Sequence, residues 1–208
     1  IESIIAFVSL HDEIFIKRIR SKQHKISFIG KFAGNIGKNN TVNKLLLILE
    51  KKKLIEDKKF QITINKKIPN KAGLGGGSMN AAALLNYFIK KKIIRSKKNE
   101  ILSISNLIGS DVVLGLNVSN SILNSKNCLK TFSHYKKLYT LIVKPNFGCS
   151  TREIYSKVKK FTKPKFNKPK KIFFNINYLK KMSNALEPIV FSKYSQLSKI
   201  KLFLESSS

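Results

Sequence analysis

The sequence predicts an α+β fold in which strands and helices alternate along the chain. Some segments carry apolar residues at every second position, which indicates strands, and others at every third or fourth, which indicates helices. A cluster of glycines separates the clearest strand pattern from an alanine-rich helical one. With 208 residues, 42% of them hydrophobic, the chain is long enough to bury a core.

The first third predicts three strands and one helix. The stretches "IIAFVSLHDEIFIKRI" and "HKISFIGKF" alternate apolar and polar residues across a polar turn, which predicts antiparallel strands. The stretch "NNTVNKLLLILEKKK" predicts a helix capped by Asn40 or Thr41. In "KFQITINKKIP" the alternation of Phe60, Ile62 and Ile64 predicts a strand that ends before Pro69.

The glycine cluster comes next, and two helices are predicted after it. From Asn80 onward, apolar residues recur at helical spacing up to a "KKK" run. "KNEILSISNLI" predicts a second helix that Gly109 stops. Short strand-like pieces then lead to "KKLYTLIVKP", which we interpret as an apolar strand before Pro145.

Beyond Pro145 the pattern changes, and a domain boundary is predicted near Tyr139. "STREIYSKVKKF" and "NINYLKKMSNALEPIVFSKY" are typical of helices, with a proline- and lysine-rich loop between them. We therefore expect a mixed first domain, residues 1–138, and the start of a second α/β domain, residues 139–208.

Composition limits the possible functions. The chain has 41 Lys and Arg against 11 Asp and Glu, a formal charge of +30. Such a charge favours an anionic partner, either nucleic acid or a phosphorylated small molecule. Lysine is over-used throughout and forms no basic recognition helix, so no specific nucleic acid is expected. We expect no membrane span or signal peptide, because no apolar run is long enough and no basic leader is recognised, and this predicts a cytoplasmic protein. The two cysteines and three histidines predict no metal site.

The glycine cluster in "IPNKAGLGGGSMNAAA", residues 68–83, predicts a phosphate-binding loop. Glycine permits positive φ and lets a ligand approach the backbone closely. Free amides at the start of the following helix favour an anion. Neither common nucleotide motif fits, because no lysine follows the run as in a Walker A loop, and Ser78 stands where a dinucleotide-binding motif needs a third glycine. A glycine-rich hairpin is the structural alternative.

The same stretch resembles the phosphate-binding motif of the GHMP kinases, P-x-x-x-G-L-G-(G)-(G)-S-[S]-x-A-A. Its three glycines before Ser78 are similar to the 4-diphosphocytidyl-2-C-methyl-D-erythritol kinase branch of that family. "NNTVNKLLLIL", "IGSDVVLGL", "PNFGCSTREIY" and "NALEPIV" resemble further family segments, in the same order. The resemblance covers nearly the whole chain and implies the GHMP two-domain fold.

The resemblance also implies a reaction and a set of site residues. The family transfers the γ-phosphoryl group of ATP, with Mg²⁺, to a hydroxyl of 4-diphosphocytidyl-2-C-methyl-D-erythritol. Asn40 and Lys66 match positions near the adenosine. The residues that match the loop around the ATP phosphates are Pro69, Asn70, Lys71, Ala72, Gly73, Leu74, Gly75, Gly76, Gly77, Ser78 and Met79.

Asp111 matches the catalytic aspartate of the family, which takes the proton from the substrate hydroxyl. A carboxylate of ordinary pKa, about 4, is ionised at pH 7 and can do this. The alternative from the residues alone is a helix N-cap, because "SD" follows Gly109 at a possible helix start. The two roles are compatible.

Several residues depart from the family pattern. Met79 replaces the second serine, Val113 a proline and Ala185 an aspartate. The family's P-[AS]-K-[IL]-N strand, R-x-D-G-Y-H turn and third glycine-rich loop have no match, so we expect a fragment that lacks both ends and is inactive. Another GHMP kinase, of the homoserine or mevalonate type, and a basic nucleic-acid-binding module remain as alternative functions.

Overall fold

The structure, a computed structural model, describes residues 2–133, 138–159 and 161–207. It contains two compact units, Ser9–Val118 and the combination of Ile1–Val8 with Ser119–Ser208. The strands are β1 Ser3–Ile5, β2 Glu13–Ile19, β3 Lys25–Ile29, β4 Lys59–Asn65, β5 Ser121–Leu123 and β6 Leu129–Thr131. The α-helices are α1 Thr41–Lys51, α2 Gly76–Lys90, α3 Lys98–Ile108, α4 Val112–Leu116, α5 Thr151–Ser156, α6 Ile176–Leu179, α7 Glu187–Lys193 and α8 Ser195–Ser206.

The unit Ser9–Val118 contains a three-stranded sheet in the order β2-β4-β3. β2 runs antiparallel to β4 and β3 runs parallel to it. β2 and β3 therefore run antiparallel to each other, as predicted, and β4 lies between them. β4 suits the central position, since the alternating residues on one of its faces, Phe60, Ile62 and Ile64, are all buried.

Helices α1 to α4 and their connections pack with that face of the sheet into one core. β2 contributes Ile14 and Ile16, which stand opposite Ile64 and Ile62 in the register. The predicted helices α1 and α3 are confirmed, and each buries its apolar stripe. The fully buried large side chains of this core are Val42, Leu45, Leu49, Ile55, Ile62, Ile64, Leu84, Leu85, Phe88, Ile104 and Val112.

The second unit contains the antiparallel sheet β1-β5-β6 and several short helices. The predicted strand before Pro145 is wrong: residues 138–145 form no strand, and Leu141 is 80% exposed. No partner strand lies beside this segment within the described ranges, and an apolar run without one cannot form a ladder. The predicted domain boundary at 138/139 stays a prediction.

The predicted helical stretch 175–194 is broken into α6 and α7. The side chain of Asn184 accepts a hydrogen bond from the amide of Leu186 at 3.0 Å, and Pro188 follows in the first turn of α7. Both features start a new helix rather than continue an old one. No helix among the described residues is both long enough and apolar enough to cross a bilayer. His134, one of the histidines discounted as a metal ligand, lies outside those residues.

Candidate active site

The glycine cluster joins the end of β4 to the start of α2 and forms no hairpin. Gly73 and Gly75 have φ of 71° and 64°, in the left-handed region, and Gly75 occupies the N-cap position of α2. Residues with a Cβ rarely adopt this conformation, so glycine is required where the chain turns into the helix. Residues 76–79 form the first helical turn.

The start of α2 presents backbone amides to the loop. The first bond of the helix runs from the amide of Met79 to the carbonyl oxygen of Gly75 at 3.0 Å. The amides of Gly76, Gly77 and Ser78 precede that bond and have no acceptor in the helix ladder. Together with the helix dipole, such amides favour a phosphate group.

Asn70 attaches the loop to the segment that follows β3. Its side-chain amide donates to the carbonyl oxygens of Phe32 at 2.8 Å and Gly34 at 3.2 Å. Lys71 and Leu74 are exposed, with Lys71 at a φ of 54°. Pro69 and Ala72 are partly buried. The side chain of Asn70 thus holds the start of the segment, while Lys71 and Leu74 face solvent.

Asp111 lies beside the glycine loop. Its Oδ2 is 3.9 Å from the position that a Cβ on Gly75 would occupy. Asp111 occupies the N-cap position of α4, but its side chain makes no capping hydrogen bond. The hydroxyl of Ser110 donates to Oδ1 at 3.1 Å, and the side chain is exposed. Its carboxylate is therefore open to a ligand bound at the loop.

Two further contacts connect neighbouring helix starts to the same loop. The hydroxyl of Thr41 donates to the carbonyl oxygen of Gly77 at 2.6 Å. A Cβ on Gly109 would lie 3.8 Å from Oγ of Ser78, so Ser78 faces the segment that carries Asp111. The starts of α1, α2 and α4 consequently meet around the predicted phosphate site.

Asn40 caps α1, one of the two alternatives predicted. Its Oδ1 accepts hydrogen bonds from the amides of Val42 at 3.1 Å and Asn43 at 2.9 Å, and its Nδ2 donates to the carbonyl oxygen of Gly37 at 2.9 Å. The cap places Thr41 against the loop. Contact between Asn40 and an adenosine stays a prediction.

Met79 packs against α4 rather than offering a polar group to the loop. A Cβ on Gly115 would lie 3.0 Å from its Sδ and 2.6 Å from Cβ of Ala82, so α2 and α4 approach each other closely here. The thioether thus fills the space between the two helices.

Asp12, which the sequence analysis did not single out, is bound to both sides of the loop. Its Oδ1 accepts from the amides of Lys67 and Ile68, both at 2.8 Å. Its Oδ2 accepts from Nδ2 of Asn80 at 2.8 Å and from the ammonium of Lys66. Burial alone would raise the pKa of Asp12, but these four bonds outweigh it and hold the pKa below its usual value.

Lys66 is 4% exposed and ion-paired with Asp12. Its ammonium therefore has a partner within the protein, and a role near adenosine stays a prediction. No local signal in the sequence identifies this pair, because Asp12 and Lys66 lie 54 positions apart. The described residues hold no group of three or more His, Cys, Asp or Glu that could bind a metal.

Comparison with known proteins decides the family. Residues 40–124 match the GHMP kinases N terminal domain. The chain is 55% identical, over 204 residues, to a 4-diphosphocytidyl-2-C-methyl-D-erythritol kinase of Pelagibacter ubique, covering 98% of this chain and 73% of that protein. This chain belongs to the 4-diphosphocytidyl-2-C-methyl-D-erythritol kinase family.

Other relatives agree with this assignment. A putative 4-diphosphocytidyl-2-C-methyl-D-erythritol kinase of Streptococcus mutans is 28% identical over 204 residues, covering 95% of this chain and 72% of that protein. A crystal structure of 4-(cytidine 5'-diphospho)-2C-methyl-D-erythritol kinase matches with a TM-score of 0.66 at 20% identity, covering 96% of this chain and 71% of that one. The predicted α+β GHMP kinase fold is thereby confirmed. The chain is a small-molecule kinase, and the kinases of this family use ATP as a substrate.

Proposed function

We propose that the reaction of this kinase is phosphorylation of the 2-hydroxyl of 4-diphosphocytidyl-2-C-methyl-D-erythritol with ATP, a step of the non-mevalonate route to isoprenoid precursors. One observation carries the proposal beyond family membership. The carboxylate of Asp111 lies beside Gly75, where the loop enters the amide-rich start of α2. A proton acceptor and a phosphate cradle therefore stand next to each other, as phosphoryl transfer to an alcohol requires.

The loop would bind the ATP phosphates. The amides of Gly76, Gly77 and Ser78 and the dipole of α2 supply fixed positive partial charge, and Lys71 adds a full charge on the exposed edge. Such preorganised donors stabilise the charge on the transferring phosphoryl group without reorganising during the reaction. Asn40 and Lys66 would lie towards the adenosine, with the ammonium of Lys66 held by Asp12.

Asp111 would take the proton of the attacking hydroxyl. The hydroxyl oxygen forms its bond to the γ-phosphorus, the bond from that phosphorus to the bridging oxygen of ATP breaks, and ADP leaves with the electron pair. The carboxylate of Asp111 is exposed and makes no capping bond, which leaves it accessible to the substrate hydroxyl. The hydroxyl of Ser110, 3.1 Å from Oδ1, would orient the carboxylate.

Mg²⁺ fits the residues present as an ion that enters with ATP. In such sites it keeps several waters and is bound by one or two protein groups besides the phosphates. Ser78, in the first turn of α2, is the oxygen donor that would be in reach. The ion would neutralise charge on the phosphates.

The remaining predictions complete this proposal. Residues 1–138 would form the nucleotide-binding domain and residues 139–208 part of the second domain, in a cytoplasmic enzyme whose partner is a small molecule and not a specific nucleic acid. The charge of +30 would then attract anionic substrates in general rather than recognise an oligonucleotide.

The proposal is tested with Asp111→Asn in the full-length natural protein. The amide has nearly the same shape but cannot take the proton, so we expect kcat to fall by roughly a hundredfold or more, as for loss of a general base, with ATP affinity within about twofold of the unchanged protein. Asp57→Asn, which changes an exposed aspartate of the same unit, is the matched control and should leave kcat unchanged. Equal turnover in both variants would refute the role of Asp111.

The alternative functions have their own readouts. Turnover of homoserine or mevalonate, with none of the diphosphocytidyl substrate, would move the chain to another branch of the GHMP kinases. Tight binding to unrelated oligonucleotides, with a steep dependence on salt, would favour the nucleic-acid-binding alternative.

A further inference from the structure

The two ends of the glycine loop are bound to one carboxylate group. On the β4 side, Oδ1 of Asp12 accepts the amides of Lys67 and Ile68, which directly precede residues 69–79. On the helix side, Oδ2 accepts the side-chain amide of Asn80, which directly follows them. The predicted phosphate-binding segment therefore begins and ends at hydrogen bonds to the same side chain.

This carboxylate is fully enclosed and fully satisfied. The side chain of Asp12 is 0% exposed, that of its ion-pair partner Lys66 is 4% exposed, and Asn80 is 5% exposed. Each oxygen accepts two hydrogen bonds, so no lone pair is left to draw the side chain towards water. A charged group buried in this way has one geometry, because every alternative leaves a donor or a charge unpaired.

We propose that Asp12 is a positioning residue for ATP, because its carboxylate fixes the distance between the two ends of the phosphate loop. The inference rests on the proposed function, since it assumes that the loop binds the phosphates of ATP. Between its ends the loop is held by Asn70 and Thr41, and its backbone is at positive φ at Gly73 and Gly75. Phosphoryl transfer depends on placement to within a fraction of an ångström, so a loop with loose ends would bind the phosphates poorly.

A positioning role and a merely structural role predict different results. If Asp12 only stabilises the fold, its replacement lowers the melting temperature and leaves the preference of the folded protein for ATP over adenosine unchanged. If Asp12 positions the loop, the affinity for ATP falls while that for adenosine, which lacks phosphates, stays within about twofold. The ratio of the two affinities separates the roles.

Two variants of the full-length protein test this directly. Asp12→Asn keeps the shape and the acceptor for the Lys67 and Ile68 amides but turns a donor towards Asn80. Asn80→Ala removes only the bond to α2 and leaves the Asp12–Lys66 ion pair in place. We expect each to lower the ATP-to-adenosine affinity ratio roughly tenfold, the effect of losing one hydrogen bond to a charged group.

Glu50→Gln is the matched control, measured beside the two variants by calorimetric titration and thermal melting. It weakens another ion pair of the same unit, between Glu50 and Lys59, at the far end of β4 from the loop. We expect it to lower the melting temperature without changing the affinity ratio. If Asp12→Asn behaves like Glu50→Gln, the proposal is overturned. If Asp12→Asn does not fold, the affinity ratio measured for Asn80→Ala decides: a fall of roughly tenfold supports the proposal, and an unchanged ratio overturns it.

The exchange Asp12→Asn with Asn80→Asp provides a rescue. The double variant places the hydrogen-bond donor at position 12 and the acceptor at position 80, and it keeps the net charge. We therefore expect it to recover most of the ATP affinity that Asp12→Asn loses. Failure to recover in a folded double variant would contradict a bridge between the two positions. If the unchanged protein itself shows no preference for ATP over adenosine, the proposed function fails, which is a different outcome from unaltered ratios in the variants.

Discussion

The hydroxyl of Thr41 donates a 2.6 Å hydrogen bond to the carbonyl oxygen of Gly77, and so joins the first residue of α1 to the first turn of α2. The two residues are 36 positions apart in the sequence. Because the bond takes up a carbonyl oxygen in the first turn, it helps to set the direction in which the neighbouring amides point. The start of α1 therefore contributes to the geometry of the candidate phosphate site.

We expect Thr41→Val to weaken ATP binding several-fold, because it removes this bond while keeping the branched shape of the side chain. The loss of stability should be about 1 kcal/mol, as for one intramolecular hydrogen bond. Urea unfolding and ATP titration measure the two effects. Thr63→Val is the matched control, since it removes a 3.0 Å contact with Ser27 in the sheet and should leave ATP affinity unchanged. Equal ATP affinity in both variants would contradict a role for Thr41 in the loop.

Gly75→Ala should destabilise the protein by about 1–2 kcal/mol, the cost of the left-handed conformation for a residue with a Cβ. The new methyl group would meet Asp111 only at ordinary contact distance, so the cost is in the backbone. ATP affinity should fall with it, because relief of the strain moves the start of α2. Gly37→Ala places a methyl group in open space and should be nearly neutral in thermal melts. A Gly75→Ala protein as stable as Gly37→Ala would contradict the prediction.

Asn40 allows the capping role to be separated from a role in nucleotide binding. Asn40→Ala should cost about 1 kcal/mol of stability through loss of the cap. Asn40→Asp keeps a good capping oxygen and should retain most of the stability. If Asn40 also contacts adenosine, Asn40→Asp should bind ATP and adenosine more weakly by a similar factor. Unchanged affinity in a stable Asn40→Asp protein would limit Asn40 to the cap.

His24 should make the stability sensitive to mild acid. Burial is the main cause that lowers its pKa, aided by the charge of Lys59 and opposed by Glu50, and its Nδ1 accepts the amide of Phe60 at 3.0 Å. The pKa of His24 in the folded protein lies below the ordinary value of about 6.5. Between these two pKa values the unfolded chain binds more protons than the folded protein, so stability falls as the pH drops below about 6.5. Urea unfolding should show a smaller fall for His24→Gln over this interval. An identical pH profile in both proteins would contradict the assignment.

Local patterns in the sequence predicted much of the unit Ser9–Val118. The helices α1 and α3 and the strand β4 follow from hydrophobic periodicity, and the cap at Asn40 from its position before a leucine-rich stripe. The strand order did not follow, because alternation shows which residues of β2 and β3 are buried but not which strand lies between them. The false strand at 138–145 has the same origin, since apolar alternation predicts a strand without supplying a partner.

The residues of the candidate site could likewise be predicted only in part. The loop could be predicted because its glycines are contiguous, and Asp111 because the surrounding residues resemble a family motif. Asp12 could not, because its role depends on Lys66 and Asn80, which lie 54 and 68 positions further along the chain. No window of local sequence contains that relationship.

The distance along the chain between Asp12 and its partners also bears on how the protein acquires its affinity for ATP. Helix α2 can form early from local contacts, but the carboxylate reaches both ends of the loop only after the intervening chain has closed, a slow and entropically costly event. Nucleotide binding should therefore appear together with the last cooperative step of folding rather than with helix formation. A newly made chain would remain unable to hold ATP until β2, β4 and α2 are joined.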